Sequence, residues 1–244
     1  MEFGSPQFWI AVLQIIAIDI LLGGDNAVVI ALACRNLPAK QRKLGIFWGV
    51  FGAIALRVVI TIFAVTLLAI PFLKIIGAIL LMWIGLKLVM PQEGEGEHNI
   101  DASASLMGAI KTIIVADFVM SLDNVIAVAA AAKDSTALIV FGLVVSVPII
   151  VWCSTFILKM MERYPVIIVL GGGLLGYIAG DMFVRDPVLK DWMDANLAWL
   201  RDYHIAGIIG AVLVITVGKT LAMRAARAQA AHGVIDLATD DKKS

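Results

Sequence analysis

The chain carries one short acidic pattern twice, each time inside a long apolar run. The stretch IIAIDILLGGDNAVVIALA at 15–33 aligns without gaps with IIVADFVMSLDNVIAVAAA at 113–131. An isolated charge near the centre of a bilayer costs roughly 3 kcal/mol on insertion scales, so charges there are expected to serve a function. Carboxylates facing each other would neutralise a divalent cation, and carboxamide oxygens would add uncharged ligands. We therefore predict a metal site formed by Asp25, Asn26, Asp123 and Asn124.

The two aspartates within each copy do not share a helix face. Six residues turn a regular helix by about 600°, which leaves Asp19 and Asp25 about 120° apart around the axis. Gly23 and Gly24 predict a break between them, because glycine weakens helix interiors, and a break would free backbone carbonyls as further ligands. We assign Asp19 and its counterpart Asp117 to proton handling or to support of the ligands.

Two further charged residues lie within apolar spans. Arg57 is the only cation well inside one, and we expect it to have an acidic partner among Asp19, Asp117 and Asp181, since an unpaired charge there is costly. Asp181 has no acidic counterpart at Leu86 in the first copy and is a candidate for an exit pathway or for the site. The competing interpretation is a salt bridge that only joins helices.

Apolar helices must position these residues. Hydrophobic residues make up 61% of the 244 and charged residues 16%, with a mean hydropathy of +0.97, whereas soluble domains are roughly 45–50% apolar. A bilayer core needs about 20 residues per helix, and the runs are continuous rather than alternating, which argues against membrane strands. Seven runs qualify, at 8–34, 44–70, 72–90, 106–132, 137–158, 166–184 and 205–223.

The first six runs form two copies of three. The third and sixth also align, with Gly77 and Gly85 on Gly172 and Gly180. Three is an odd number, so the second copy must cross the membrane upside down relative to the first, as in many transporters. The predicted fold is an all-α membrane protein with seven transmembrane helices, an inverted 3+3 repeat plus one.

The predicted organisation is a single transmembrane domain at 6–227. Residues 1–5, Met-Glu-Phe-Gly-Ser, resemble a vector remnant and are excluded from fold reasoning. The parts are repeat one at 8–90, a linker at 91–105, repeat two at 106–184, an outer amphipathic helix at 185–204, the seventh helix at 205–223 and a cytoplasmic tail at 228–244.

Lysine and arginine predict the orientation. With the N-terminus outside, Arg57 lies within a span and most of the other Lys and Arg residues lie inside. The exceptions outside are Lys74, Lys133, Arg185, Lys190 and Arg201. The positive-inside rule therefore predicts an N-out, C-in arrangement. The formal net charge of zero gives no basic surface for nucleic acid.

Ligand type limits the ion without selecting one. Carboxylate and carbonyl oxygens suit Mg²⁺, Ca²⁺ and Mn²⁺, whereas Cu(I) prefers sulfur and Zn²⁺ usually Cys or His. The motifs GGDNAVVIALA and SLDNVIAVAAA resemble the paired Asp-Asn motifs of the TerC family, within the wider LysE-type exporter superfamily, and GGDN is similar to its YjbE-like bacterial branch. The resemblance covers spans 1–6. It implies an Mn²⁺ exporter of the bacterial cytoplasmic membrane, with Mn²⁺ as bound substrate rather than as a catalytic cofactor.

The leading hypothesis is therefore a divalent-cation exporter that works by alternating access. Exporting a 2+ ion against an inside-negative potential costs about 4.6 kcal/mol per 100 mV, and the nucleotide-binding pattern GxxxxGK[ST] does not occur, so proton antiport through the carboxylates is expected. One alternative is a transporter of Ca²⁺ or another hard cation. Another is a membrane scaffold whose acids hold an ion only structurally.

The remaining expectations concern activity and partners. Neither HExxH nor GxSxG occurs, and we do not expect an enzyme. The expected partners are the cation, protons and the lipid bilayer. The sequence leaves open whether copies of the chain form a homo-oligomer.

Overall fold

The computed structural model describes residues 6–68, 70–90, 102–132, 136–197, 199–200 and 204–240. Within this part the chain is helical and contains no strand, so the predicted all-α class is confirmed. The predicted vector remnant, most of the linker (91–101) and the last residues of the tail (241–244) lie outside the described residues. The helices are α1 Pro6–Cys34, α2 Ala39–Ile62, α3 Ala64–Leu68, α4 Leu73–Val89, α5 Ala102–Ala132, α6 Thr136–Arg163, α7 Val166–Val184, α8 Pro187–Asn196 and α9 Ile205–Asp240.

Several helices are long and apolar enough to cross a bilayer. Among the described residues these are α2, α6 and α7, together with Ser105–Leu122 of α5 and Ile205–Arg224 of α9. Helix α1 adds a sixth span if its two halves are counted together. Those halves, Phe8–Ile20 and Gly24–Cys34, are inclined at 50° to each other. The run at 72–90 corresponds to α4, which has only 17 residues, so the count of seven spans stays a prediction.

Some helix boundaries differ from the predicted ones. The run at 44–70 is divided at Phe63 into α2 and the short α3. Helix α5 begins at Ala102, inside the predicted linker, and α8 is shorter than the predicted 185–204. Helix α9 continues to Asp240, through the region predicted as a tail. The alanines of that region favour a helix by intrinsic propensity. The prediction rested on hydropathy, which is a different property and marked the helix only as far as its apolar part.

Four of the helices, α1, α2, α5 and α6, pack together and are called the four-helix group below. The closest pairs are α2 with α5, α1 with α6, and α1 with α5. Glycines allow this approach: a Cβ on Gly49 would lie 2.5 Å from the side chain of Ile113, and one on Gly142 would lie 2.5 Å from that of Ile15.

The helices α4, α7 and α9 form a second unit, called the three-helix group below. Helices α7 and α9 meet at their backbones. A Cβ on Gly180 would lie 2.1 Å from the carbonyl oxygen of Ala206, and one on Gly176 would lie 2.4 Å from that of Gly210. Only glycine permits helix axes to come this close, which is the usual role of small residues in membrane helix pairs.

Contacts at the helix ends define the helix directions. A Cβ on Gly45 would meet Cys34 at the end of α1 and Leu106 near the start of α5, so α1 and α5 run in opposite directions. Arg42, near the start of α2, pairs with Glu162 at the end of α6, so α2 and α6 are also antiparallel.

Helices α4 and α7 are antiparallel as well, because Asp186, which follows α7, binds the start of α4. The buried Asp186 carboxylate accepts hydrogen bonds from the backbone N–H groups of Phe72, Lys74 and Ile75 at 3.1–3.3 Å. It also accepts the N–H of Val188 at 2.9 Å and so caps α8. One carboxylate therefore satisfies donors at two helix N-termini, where such donors otherwise lack partners.

Candidate functional site

Most of the buried polar side chains lie in the four-helix group. They come from all four of its helices, and each is at most 7% exposed. Buried polar groups require partners, and buried charges require opposite charges. Two of them, Thr61 of α2 and Ser154 of α6, bond the backbone of their own helices. The others form a connected cluster: Asp19 and Asn26 of α1, Arg57 of α2, Asp117 and Ser121 of α5, and Ser146 of α6.

Arg57 joins the two copies of the acidic motif. Its Nη1 donates to Asp19 Oδ1 and its Nη2 donates to Asp117 Oδ1. Arg57 thus has two of the three expected acidic partners. A guanidinium can serve two carboxylates at once because its N–H donors spread over a planar fork.

Two serines complete the binding of these carboxylates. The Ser121 hydroxyl accepts a hydrogen bond from Arg57 Nε at 2.9 Å and donates to Asp117 Oδ2 at 3.2 Å. The Ser146 hydroxyl lies within hydrogen-bonding distance of Asp19 Oδ2 and of the Leu143 carbonyl oxygen, and it donates to one of them at a time. Both serines are fully buried.

Asn26, one of the predicted metal ligands, is bonded directly to this network. Its Nδ2 donates to Asp117 Oδ1 at 2.8 Å. Its Oδ1 is buried and has no hydrogen-bond partner among the described residues. A buried acceptor without a partner loses the hydrogen bonds that water gave it, so this oxygen is available to a cation or a water molecule.

Asp25 lies beside this network and is partly exposed. Its Oδ1 accepts the backbone N–H of Asn26 at 2.9 Å. Its carboxylate interacts electrostatically with Arg57 and with Asp117. The described part of the cluster therefore has three carboxylates and one guanidinium.

The structure describes only part of the predicted ligand set. The side chain of Asp123 lies outside the described residues. Asn124 is described and has an interaction partner of its own. Among the described side chains, His, Cys, Asp and Glu residues do not form any group of three that could hold a metal ion. The predicted set of Asp25, Asn26, Asp123 and Asn124 therefore stays a prediction.

The predicted break at Gly23 and Gly24 falls where α1 bends. Helix α1 is continuous from Pro6 to Cys34, and the 50° angle separates the half that carries Asp19 from the half that carries Asp25. Whether carbonyls of this turn bind an ion stays a prediction.

Asp181 lies apart from the cluster, near the end of α7. It pairs with Arg185 at 2.8 Å, and His204 Nδ1 lies 3.2 Å from its Oδ1. Of the three acidic partners expected for Arg57, Asp181 is therefore the one that it does not contact in the described structure, where its ion pairs are with Asp19 and Asp117.

Sequence reasoning missed Ser121, Ser146 and Asp186. The serines carry no charge and look like ordinary polar residues of membrane helices. Ser121 lies four residues after Asp117, a spacing that places two side chains on one helix face, so it could have been found. The Asp186-Pro187 pair is a typical helix start, with a capping acid before proline. Nothing in the sequence pairs Ser146 with Asp19.

A second set of contacts lies at the end of the molecule that holds the α1–α2 turn. Arg35 donates to the carbonyl oxygens of Leu88 and Met90 at 2.6 and 3.0 Å, and burial lowers the pKa of its guanidinium from the ordinary value. Beside it lies a cavity of about 430 Å³, lined by Arg35 and Glu162 of the four-helix group and by Val89 and Ile168 of the three-helix group, among other residues.

A bundle of several apolar helices around a buried ionic network defines an integral membrane protein. The chain belongs to the TerC family of integral membrane proteins, whose family model matches residues 4–231. The "Uncharacterized membrane protein YjbE" of Bacillus subtilis (strain 168) is 49% identical over 187 residues, which are 77% of this chain and 85% of that protein.

Other relatives are more distant. The "UPF0053 inner membrane protein YgdQ" of Escherichia coli (strain K12) is 27% identical over 177 residues, 66% of this chain and 74% of that protein. The "Uncharacterized membrane protein YceF" of Bacillus subtilis is 26% identical over 147 residues, 57% of each chain. No solved structure matches the chain.

Proposed function

We propose that the chain is a divalent-cation exporter of the bacterial cytoplasmic membrane, that Mn²⁺ is its substrate, and that the four-helix group binds the cation. One observation carries the proposal: two buried carboxylates share one guanidinium, the partly exposed carboxylate of Asp25 lies beside them, and the Asn26 oxygen has no partner among the described residues. If all four groups are ionised, the described cluster has two negative charges in excess. A divalent cation would balance them. Asp123 would add one more, which leaves room for a proton.

The helix directions support an inverted repeat. The pairs α1 with α5 and α4 with α7 align in sequence, and α2 and α6 correspond by their order in the two copies. Each pair is antiparallel in its contacts. In transporters built this way, ion sites lie near the midplane where the repeats meet. Arg57 lies between one carboxylate from each copy, which is the position that such an arrangement would give to the site. With positive-inside orientation, the cavity beside Arg35 would open toward the cytoplasm.

The choice of ion rests on ligand chemistry and on the family resemblance. Carboxylate and amide oxygens favour hard cations, and resemblance to exporters of the LysE-type superfamily favours Mn²⁺ among them. The name of YgdQ places that relative in the inner membrane, which supports the same location here. A transporter of Ca²⁺ remains the alternative, since both ions accept these ligands.

Proton coupling would supply the driving force. Metal and proton compete for the same carboxylate oxygens. A carboxylate that releases the metal on one side of the membrane can therefore bind a proton there and return with it. We expect the affinity for Mn²⁺ to fall as the pH falls, and Mn²⁺ efflux to follow an imposed proton gradient.

The test is Mn²⁺ flux in proteoliposomes that contain only this protein. Each substitution, Asp25→Asn or Asp123→Asn, should lower Mn²⁺ affinity by orders of magnitude, because the Coulomb energy between charges in contact is several kcal/mol even at an effective dielectric of about 20. The double variant should be little worse than either single one. Asn26→Ala and Asn124→Ala each remove a neutral ligand and should leave partial transport.

Asp191→Asn is the matched control, because Asp191 lies exposed on α8, a helix outside the four-helix group. It should transport like the wild type. Wild-type flux in Asp25→Asn or Asp123→Asn would refute the proposed site. Mn²⁺ binding without any flux would favour the scaffold, and faster flux of Ca²⁺ than of Mn²⁺ would favour the other ion.

A further inference from the structure

The Asn26 carboxamide is held in one orientation. It is 4% exposed, and its Nδ2 donates to Asp117 Oδ1 at 2.8 Å. An ionised carboxylate only accepts hydrogen bonds, so the NH₂ end of the amide has to face Asp117. The Oδ1 end then points away, and it is this atom that lacks a partner in the described structure.

Asp117 is itself held from other sides. Arg57 Nη2 donates to the oxygen that accepts from Asn26, and the Ser121 hydroxyl donates to the other oxygen. Arg57 is fixed in turn by Asp19, which lies beside Ser146. The chain of contacts runs through α6, α1, α2 and α5 and returns to α1, where it ends at the Asn26 oxygen.

We infer that Arg57 and Asp117 are positioning residues, which turn the Asn26 carboxamide so that its oxygen faces an oxygen-preferring divalent cation. The inference rests on the proposed function and adds to it which atom of Asn26 binds and what orients it. An amide that served only to join helices would be expected to have partners at both of its ends, because buried polar atoms in proteins nearly always do. Here one end is bound through a charged network, and the other has no partner among the side chains that the structure describes.

Support of this kind usually has a measurable effect on metal binding. Loss of a hydrogen-bond partner behind a ligand typically lowers metal affinity about 10–100-fold. In Asp117→Asn, two amides face each other, and the Asn26 amide can rotate to present NH₂ to the cation. We expect a loss of Mn²⁺ affinity in that range.

An exchange variant separates orientation from charge. In Asn26→Asp combined with Asp117→Asn, the cluster keeps its number of carboxylates. The amide at 117 can donate to one oxygen of the carboxylate at 26, and the other oxygen remains free for the cation. The double variant should recover Mn²⁺ affinity to within a few-fold of the wild type, although Asp117→Asn alone does not.

The measurement is calorimetric titration of the purified full chain in detergent with Mn²⁺, with the apparent Tm recorded for each variant. Ser154→Ala is the matched control, because Ser154 is a buried serine that bonds only Ile150 of its own helix in the contacts described, and it should bind like the wild type. If Asp117→Asn does not fold, Ser121→Ala takes its place and should weaken binding several-fold.

The outcomes are distinct. Unchanged affinity in Asp117→Asn, or in Ser121→Ala where it replaces that variant, would overturn the inference. A folded exchange variant as weak as Asp117→Asn would do the same. Binding that follows the expected pattern without flux in proteoliposomes would support the inference and overturn the transport proposal. A wild type that does not bind Mn²⁺, Ca²⁺ or Mg²⁺ would overturn both.

Discussion

At the scale of single residues, Arg57 makes the two copies of the motif unequal. Asp19 accepts one hydrogen bond from Arg57 and lies beside the Ser146 hydroxyl, whereas Asp117 accepts hydrogen bonds from Arg57, Ser121 and Asn26. The guanidinium comes from α2 alone. Two carboxylates with almost the same sequence neighbours therefore have different partners among the described side chains, and the one in the second copy accepts a hydrogen bond from Asn26, a predicted ligand.

Replacing Arg57 by methionine should destabilise the protein strongly. Removing one member of a buried ionic network typically costs about 3–5 kcal/mol, because the remaining charges lose their compensation. We expect a clear fall in the apparent Tm of Arg57→Met in detergent. Arg57→Met combined with Asp19→Asn removes one of the two stranded charges and should recover part of the loss. Equal stability of wild type and Arg57→Met would contradict the role given to these ion pairs.

Part of this network could be predicted from the sequence. The cost of a lone charge in lipid required a partner for Arg57, and the sequence offered Asp19, Asp117 and Asp181 without ranking them. The structure pairs Arg57 with the first two. The orientation of Asn26 could not be predicted, since it depends on which atoms of α5 lie opposite. Ser146 could not be predicted either, because a hydroxyl in a membrane helix can bond its own backbone and need not have a distant partner.

At the scale of elements, the bend of α1 separates Asp19 from Asp25. A Cβ at Gly24 would meet nothing within 4 Å, so glycine is not required there by packing. Glycine lowers helix stability by about 1 kcal/mol relative to alanine. Its presence at an unrestricted position is consistent with a helix that has to change its bend during transport.

Gly24→Ala should therefore stabilise the protein and slow it. We expect a gain of about 0.4–1 kcal/mol and a reduced rate of Mn²⁺ flux in proteoliposomes. Gly108→Ala in α5 is the matched control, because a Cβ there also meets nothing within 4 Å. It should give a similar gain without slowing transport. An equal effect of both substitutions on flux would argue against a hinge at Gly24.

Helix type was easier to predict than helix ends. Long continuous apolar runs indicated the membrane helices, whereas the division of the run at 44–70 and the length of α9 depended on signals that hydropathy does not contain. Phe63 separates α2 from α3 with an N–H that still bonds the Val59 carbonyl at 3.2 Å. A break of this kind interrupts the helix without adding a polar residue to the sequence.

At the scale of the whole molecule, Arg35 connects the two helix groups. It lies just after α1 in the four-helix group and donates to carbonyls at the end of α4 in the three-helix group. The cavity beside it is lined from both groups. If the groups move relative to each other during transport, this contact has to open and close.

Arg35→Ala should loosen this end of the molecule. Cys34, the neighbouring residue, is a free and fully buried cysteine. The rate at which it reacts with a thiol reagent therefore measures how often this end of the molecule opens. In a Cys153→Ala background, maleimide should label Cys34 slowly in the wild type and several-fold faster in Arg35→Ala. Arg163→Ala removes an exposed arginine at the end of α6 and should leave the rate unchanged. Equal rates in all three proteins would show that Arg35 does not hold the groups together.

The short length of α4 has a consequence for the lipid around the protein. Its 17 residues rise about 26 Å, whereas the hydrocarbon core of a typical bilayer is about 30 Å thick. If α4 spans the bilayer, as the sequence predicts, it is too short by a few ångströms. Asp186 caps its start, and Lys87 lies over the ring of Trp83 at 5.1 Å near its other end.

The membrane is then expected to thin next to this helix, at a cost of fractions of a kcal/mol per Å. Mn²⁺ flux in phosphatidylcholine vesicles should be fastest with short acyl chains and should fall as the chains lengthen. Extending α4 by one leucine before Lys87 should move the optimum toward longer chains. The protein would in this way favour thin regions of the bilayer it occupies.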